Sequence, residues 1–257
     1  MDNTRRFTGK AQVYDQSRPD YPAEALDCIA EQCGLAPKRG FTTQGSVVAD
    51  IGAGTGKLTR MLLARGFDVI AVEPNQAMRE MLREQLGDNP ALRTVAAPAE
   101  DTGLAGHSID AITVAQAFHW FDQTACKAEF ARILKPGGKA ALLWNNRDED
   151  MPLTRKHGEL MLKFRIREAV RLENPHDVYA AFFSSHEIFR FRHTQSLDEA
   201  ALLALSFSRS YSPAPGDPRY AELERAVKKL FAEHQKNGAV EYCYRTAVVI
   251  GSFKEED

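Results

Sequence analysis

Asp50-Ile51-Gly52-Ala53-Gly54-Thr55-Gly56 stands where an apolar run ends and a helical period begins, and its reading decides the fold. Val47-Val48-Ala49-Asp50-Ile51 reads as a short buried strand. Leu58, Met61, Leu62 and Arg65 then recur at helical spacing until Gly66 closes the helix. Glycines between a strand and a helix let the backbone turn tightly and let a ligand approach it, while the helix N-terminus presents free amide groups. An adenosine-like ligand is expected above this turn.

The same alternation continues toward the C-terminus. A second strand is predicted at Asp68 to Val72, a helix over 76–86, a third strand at Leu92 to Ala96 and a fourth at Ile109 to Ala115. A helix over 122–134 is stopped by the turn Lys135-Pro136-Gly137-Gly138, which feeds a fifth strand, Lys139 to Trp144. Four βα units and a fifth strand make an α/β, doubly wound, mostly parallel sheet with helices on both faces. Beyond Trp144 the chain is charged and helical for longer than an ordinary connection, so a helical cap is expected over 146–186. There follow a strand at about 187–193, a helix opened by the capping box Ser196-x-x-Glu199, a helix beginning Asp217-Pro218 and a strand at about 240–250. The predicted organisation is a single domain over 1–257. It has an N-terminal helical cover segment (1–40), a cofactor-binding core (45–145), the cap insertion, and C-terminal strands and helices (187–257) that complete the sheet.

Three ligand classes compete for the glycine loop. A dinucleotide fingerprint has Lys57 where its third glycine belongs. A phosphate-cradling P-loop needs a glycine five residues before Gly56 and a Ser or Thr after Lys57, yet those positions hold Ile51 and Leu58. Asp50, at the mouth of the first strand, repels a pyrophosphate and attracts the ammonium of a methionine moiety, as in S-adenosylmethionine; its alternative is to cap the turn. Glu73, about twenty residues beyond the loop in Ala71-Val72-Glu73-Pro74, suits both hydroxyls of an unphosphorylated ribose, in S-adenosylmethionine and NAD alike. After the third strand, Ala97-Pro98-Ala99-Glu100-Asp101 offers an acid or a carbonyl to an adenine amino group, with Met78 and Leu104 beside the base.

Composition narrows the partners. A formal net charge of −2 over 257 residues supplies no large basic field, which disfavours a nucleic-acid substrate. The start lacks an apolar signal segment and no stretch has bilayer-spanning length, so no membrane partner and a cytoplasmic location are expected. Cys28, Cys33, Cys126 and Cys243 are scattered without histidines at ligand spacing, so packing thiols are expected, with neither disulfides nor a metal.

The order and spacing of DIGAGTG, AVEPN, PAED and LKPGG, over about residues 45–145, resemble the class I S-adenosylmethionine-dependent methyltransferases, particularly their type 11 branch. The resemblance implies a seven-stranded sheet of order 3-2-1-4-5-7-6 with strand seven antiparallel. It also implies cofactor roles for Asp50, Gly52, Gly54, Glu73 and Glu100, beside which Ala53, Pro74, Ala99 and Gln116 are expected. Many relatives carry an aspartate two residues before the Ala-Glu pair, where this chain has Ala97-Pro98. Phe7-Thr8-Gly9-Lys10, Tyr14, Arg18-Pro19 and Tyr21-Pro22, with Ala115-Gln116-Ala117-Phe118-His119-Trp120-Phe121, are similar to a subgroup that includes trans-aconitate-like methyltransferases. There the N-terminal segment covers the cofactor, so Tyr14 and Arg18 either close over the methionine end or pack as an arm on the core.

Methyl transfer from a sulfonium is an in-line displacement that alignment and water exclusion accelerate, and a base matters only for a hydroxyl, a protonated amine or a carbon acid. A small-molecule acceptor is expected beyond the fourth and fifth strands, at Gln116, His119, Trp120 and the stretch Trp144-Asn145-Asn146-Arg147. His119 is the candidate base, its alternative being a packed helix-entry residue. Arg155, Arg165, Arg167 and Arg171 interleave with Glu159, Glu168 and Glu173 and read as a solvated helix face. An NAD-dependent oxidoreductase and a cofactor-binding regulator without turnover are the competing functions.

Overall fold

A chain that crosses back over the face of a sheet returns to the same end of it, by a helix in three of the first four connections and by a loop between the third and fourth strands, so the first five strands run parallel. In the computed structural model, which describes residues 19–38, 45–166, 174–209 and 211–253, β1 (Val47–Ile51) lies inside the sheet. β2 (Asp68–Val72) and β3 (Leu92–Val95) extend it on one side, β4 (Ile109–Ala115) and β5 (Leu134–Arg147) on the other, all in parallel pairs. β7 (Val240–Ser252) inserts antiparallel between β5 and the edge strand β6 (Ser185–Leu197). The order is β3-β2-β1-β4-β5-β7-β6, as the resemblance implied. Its edge strand β6 carries Glu187, Arg190 and Arg192, charges that discourage pairing with another chain.

Both faces are covered because the central strands are apolar on both. On one face α1 (Ala23–Gln32) and α2 (Lys57–Ala64) set Leu26, Ile29, Leu58 and Leu62 against Val48, Val69 and Leu143. On the other, α4 (Gln123–Ile133) and α6 (Pro175–Phe182) set Phe130, Tyr179 and Phe182 against Ile112, Val114 and Leu142. Phe118, Phe130 and Phe182 meet edge-on there at 4.6 and 5.7 Å, a geometry worth about 0.5–1.5 kcal/mol per pair beyond burial. α3 (Gln76–Leu86) flanks β3.

β5, β7 and β6 outrun their neighbours at the carboxyl end of the parallel strands. Tyr242 and Tyr244 on that extension carry a separate apolar cluster with Leu153 and Met161 of α5 (Pro152–Lys163), Leu205 of α7 (Glu199–Phe207) and Val227 of α8 (Arg219–His234). This cap corrects the expected division of the chain. α7 and α8 join α5 above the sheet edge rather than completing the sheet, while α6, inside the predicted insertion, packs on the core through Tyr179 and Phe182. α1 likewise covers the sheet face, where Gln32 O accepts from Lys139 Nζ at 2.8 Å.

Two local predictions are also corrected. Ser196 does not cap α7: it pairs with Glu241 in the β6–β7 ladder, and Asp198 accepts from Ala201 N at 2.7 Å instead. Lys135-Pro136-Gly137-Gly138 stops α4 as predicted but lies within β5, bulging between the pairs Ile109–Leu134 and Ala111–Lys139. No helix among the described residues is long and apolar enough to cross a membrane.

Candidate functional site

A cavity of about 310 Å³ opens at the carboxyl ends of β1, β2 and β4, beside the cap. The glycine loop forms its floor. Gly52 and Gly54 hold φ of +70° and +59°, a region that costs other residues about 1–2 kcal/mol. A Cβ on Gly52 would stand 2.7 Å from Ala117 Cβ and 3.0 Å from Phe121, so the loop can seat against the β4 exit only with glycine there. A Cβ on Gly54 would meet nothing within 4 Å.

Four amides of the glycine loop are paired within the protein. Gly52 N and Ala53 N donate to Val72 O at 2.8 and 3.1 Å, Gly56 N to Ala53 O at 3.0 Å, and Gly54 N to the Glu73 carboxylate at 2.9 Å. A phosphate nest needs such amides aimed outward. Here they fasten the loop to the tip of β2.

Asp50 and Glu73 are buried in the cavity wall. Asp50 accepts from the hydroxyls of Thr59 at 2.7 Å and Thr113 at 3.1 Å. Burial pushes its carboxyl up to about 6 against the pull of those hydroxyls, with the Glu73 charge adding to the rise. Glu73 accepts from Asn75 N at 2.8 Å as well as from Gly54 N, and burial raises it too, opposed by the two amides and the Arg79 charge. Arg79 fixes the same turn by donating to Glu73 O and Pro74 O at 2.7 and 2.6 Å. Both acids are thus aimed and desolvated before any ligand arrives.

Of the other expected cofactor residues, Gly52, Ala53, Gly54, Pro74, Ala99, Glu100 and Gln116 all line the cavity. Glu100 also accepts from Asp122 N at 2.8 Å, and Asp122 caps α4 through Thr124 N and Ala125 N, so this acid positions the turn carrying Trp120 and Phe121. Gln116 holds φ of +55°, a strained value for a residue with a side chain, and its amide donates to Leu143 O at 2.9 Å. Met78 lines the cavity, whereas Leu104 is buried in the core beside Phe130. Tyr14 and Arg18 lie outside the described residues.

The expected acceptor residues divide. Trp120 and Asn145 line the cavity; His119 and Trp144 are not among its lining residues. His119 lies against Trp120 with ring centroids 4.9 Å apart. Strand alternation sends Trp144 to the opposite sheet face from Asn145, where it meets Phe118 and Tyr179. Asn145 donates to Asp20 O at 3.2 Å and accepts from Thr246 Oγ1 at 2.6 Å, which ties the Pro19–Tyr21 segment to the sheet. Asp20 also engages Lys57 and Arg60, at 3.3 and 2.9 Å. The sequence reading did not assign Phe121, Tyr21, Tyr244 or Arg209 to the wall. Phe121 and Tyr21 sat inside the quoted motifs; Arg209 and Tyr244 arrive through the tertiary course of the cap, which no local pattern signals.

A wall bearing two buried carboxylates over a loop whose amides are spent suits a ligand that brings positive charge and hydroxyl groups. Residues 49–142 match the family described as a methyltransferase domain. An uncharacterised methyltransferase of Mycobacterium tuberculosis is 37% identical over 236 residues, 91% of this chain and 88% of its own length. A methyltransferase-like protein of Schizosaccharomyces pombe is 29% identical over 245 residues, 91% and 90% of the two chains. Among solved structures, a type II methyltransferase from Anaeromyxobacter dehalogenans superposes with a TM-score of 0.69 at 26% identity, over 91% of this chain and 97% of that one. Haemonchus contortus phosphoethanolamine N-methyltransferase 2, solved with phosphomonomethylethanolamine and S-adenosylhomocysteine, shares the fold at a TM-score of 0.55 and 14% identity, over 97% of this chain and 59% of that one. Kinship running along 91% of the chain joins the sheet order and the acid-flanked loop in one conclusion: this chain belongs to the class I S-adenosylmethionine-dependent methyltransferases.

Proposed function

We propose that the cavity binds S-adenosylmethionine and that the enzyme methylates a small-molecule acceptor by in-line displacement, leaving S-adenosylhomocysteine. The observation that carries this reading is the pair of buried acids, Asp50 and Glu73, above a glycine loop that spends the amides of Gly52, Ala53, Gly54 and Gly56 within the protein. When bound, the cofactor supplies a methyl group on a positively charged sulfur. Asp50 is assigned the methionine ammonium and Glu73 the ribose hydroxyls, while Met78 and Phe121 flank the base and Glu100 faces its amino group. Gln116, Trp120 and Asn145 wall the acceptor side and exclude water. His119 packs against Trp120 and is proposed as the residue that positions this indole. Shared fold with an enzyme that holds S-adenosylhomocysteine accords with this reading.

Thermal unfolding with candidate ligands tests it. S-adenosylmethionine and S-adenosylhomocysteine, each at a hundred times its dissociation constant, are expected to add about 2.7 kcal/mol of stability, and NAD and ATP nothing. Equal stabilisation by NAD overturns the assignment. Transfer of a labelled methyl group into a metabolite mixture then separates an enzyme from a regulator that only binds.

A further inference from the structure

Asp50 belongs to a row that crosses the sheet in register: Ala71 on β2, Asp50 on β1, Thr113 on β4 and Ala141 on β5. Residues in register point to the same face, here the face that α2 covers. Ala71, Thr113 and Ala141 are all buried, and of these three only Thr113 offers a polar group to the acid. From the layer above, Thr59 of α2 reaches the same carboxylate. Each oxygen has its own donor: Thr59 Oγ1 donates to Oδ2 at 2.7 Å and Thr113 Oγ1 to Oδ1 at 3.1 Å.

Neither threonine suits its surroundings by packing alone. Thr59 is fully buried between Leu58 and Leu62 on α2, and Thr113 between Ile112 and Val114 on β4. A hydroxyl in such a place costs stability unless it is bonded, and a helical threonine can return its proton to the carbonyl four residues back. Both donate to Asp50 instead. A hydroxyl has a single proton, so each is committed, and a carboxylate held at both oxygens no longer turns about its Cβ–Cγ bond. What acceptor capacity it keeps is offered to the cavity that it lines.

We propose that Thr59 and Thr113 are positioning residues of the methyl-donor site, which from two separate elements fix the Asp50 carboxylate in the orientation that receives the ligand's ammonium group. The inference rests on the methyltransferase reading and adds to its machinery two residues that do not themselves line the cavity. The same two hydrogen bonds favour the ionised acid against burial. Among the described residues, the charged groups that share the cavity with Asp50 are Lys57 from α2, Glu73 from the end of β2, Glu100 from the turn after β3 and Arg209 from the cap. Of these, the Glu73 charge opposes ionisation. Asp68 and Asp110 lie at the far ends of their strands, on Lys38 and on Val47 N.

The test compares two ligands of the full chain by calorimetry. S-adenosylhomocysteine carries the ammonium; 5′-methylthioadenosine keeps the adenosine and the thioether and lacks the amino-acid part. Thr59→Val and Thr113→Val each replace one hydroxyl with a methyl and leave the backbone donors in place. Loss of one donor should raise the midpoint of the pH dependence of S-adenosylhomocysteine binding by about one unit, weakening it about fivefold at pH 6 and less than about twofold at pH 8.5. Binding of 5′-methylthioadenosine should stay within about twofold of the parent at both pH values, which also reports that each variant is folded. Thr59→Ala and Thr113→Ala repeat the deletion with no methyl in its place and should behave alike. Thr59→Ser and Thr113→Ser keep the donor and should bind as the parent does. Thr154→Val, which removes an equally buried hydroxyl from α5 in the cap, should change neither ligand. Undiminished S-adenosylhomocysteine binding in the Val and Ala variants, an unmoved midpoint, or equal loss of the two ligands overturns the proposal. A parent chain that binds no S-adenosylhomocysteine instead overturns the methyltransferase reading itself.

Discussion

Asp50 is held on two hydroxyls in a site that leaves it 1% exposed, and desolvation lifts its carboxyl to about 6. A folded value above the unfolded one means that this group stabilises the free protein most below pH 3.8, and that the contribution is lost as pH rises through about 6. A cationic ligand reverses the preference, because it favours the ionised form. S-adenosylhomocysteine should therefore release a proton on binding below pH 6 and bind about tenfold more weakly at pH 5 than at pH 7.5. Asp50→Asn should bind weakly at both pH values with little slope; an unchanged slope in calorimetry would place the titrating group elsewhere. Asp50 and Glu73 were legible in the sequence because each sits at a fixed offset from a turn that backbone geometry demands. Arg209 and Tyr244 of the cavity wall were not, since the packing of the cap helices on a strand extension brings them there, with no spacing rule that links them to the glycine loop.

Two glycines of one turn answer to different constraints. Gly52→Ala strains φ and drives a methyl into Ala117 and Phe121, so a loss of about 2–4 kcal/mol is expected in urea unfolding. Gly54→Ala strains φ alone, near 1–2 kcal/mol, but its methyl projects into open cavity and should abolish S-adenosylhomocysteine binding while the fold survives. Equal stability losses, or tight binding by Gly54→Ala, would contradict this division. Strands and helices of the cofactor half were legible almost to the residue, because apolar runs there are short and bounded by Gly, Pro or Asn. The α7 start was misread because Ser196-x-x-Glu199 satisfies the capping pattern equally well, and the choice fell to β6, whose ladder with β7 runs on to Leu197. The predicted fifth strand, Lys139 to Trp144, misses the segments on either side of it: the bulge hides the start, and Asn145, Asn146 and Arg147 lack the apolar character that signals a strand.

The cap is not a separate body joined by a linker, because the strands that carry it are the strands of the sheet. β7 runs without a break from Val240 beneath α7 and α8 to Ser252 beside Lys139. Amides of residues 240–247 should then exchange with deuterium in the same slow class as those of 248–251, opening only with the whole sheet. A class of cap amides exchanging orders of magnitude faster would show that the cap opens independently. Continuity of this kind also divides inheritance within the chain. The floor of the cavity is written between Asp50 and Phe121, while its cap-side wall draws on Asn145, Arg209 and Tyr244, so the taste of the enzyme can drift through its second half while its methyl donor stays fixed by the first.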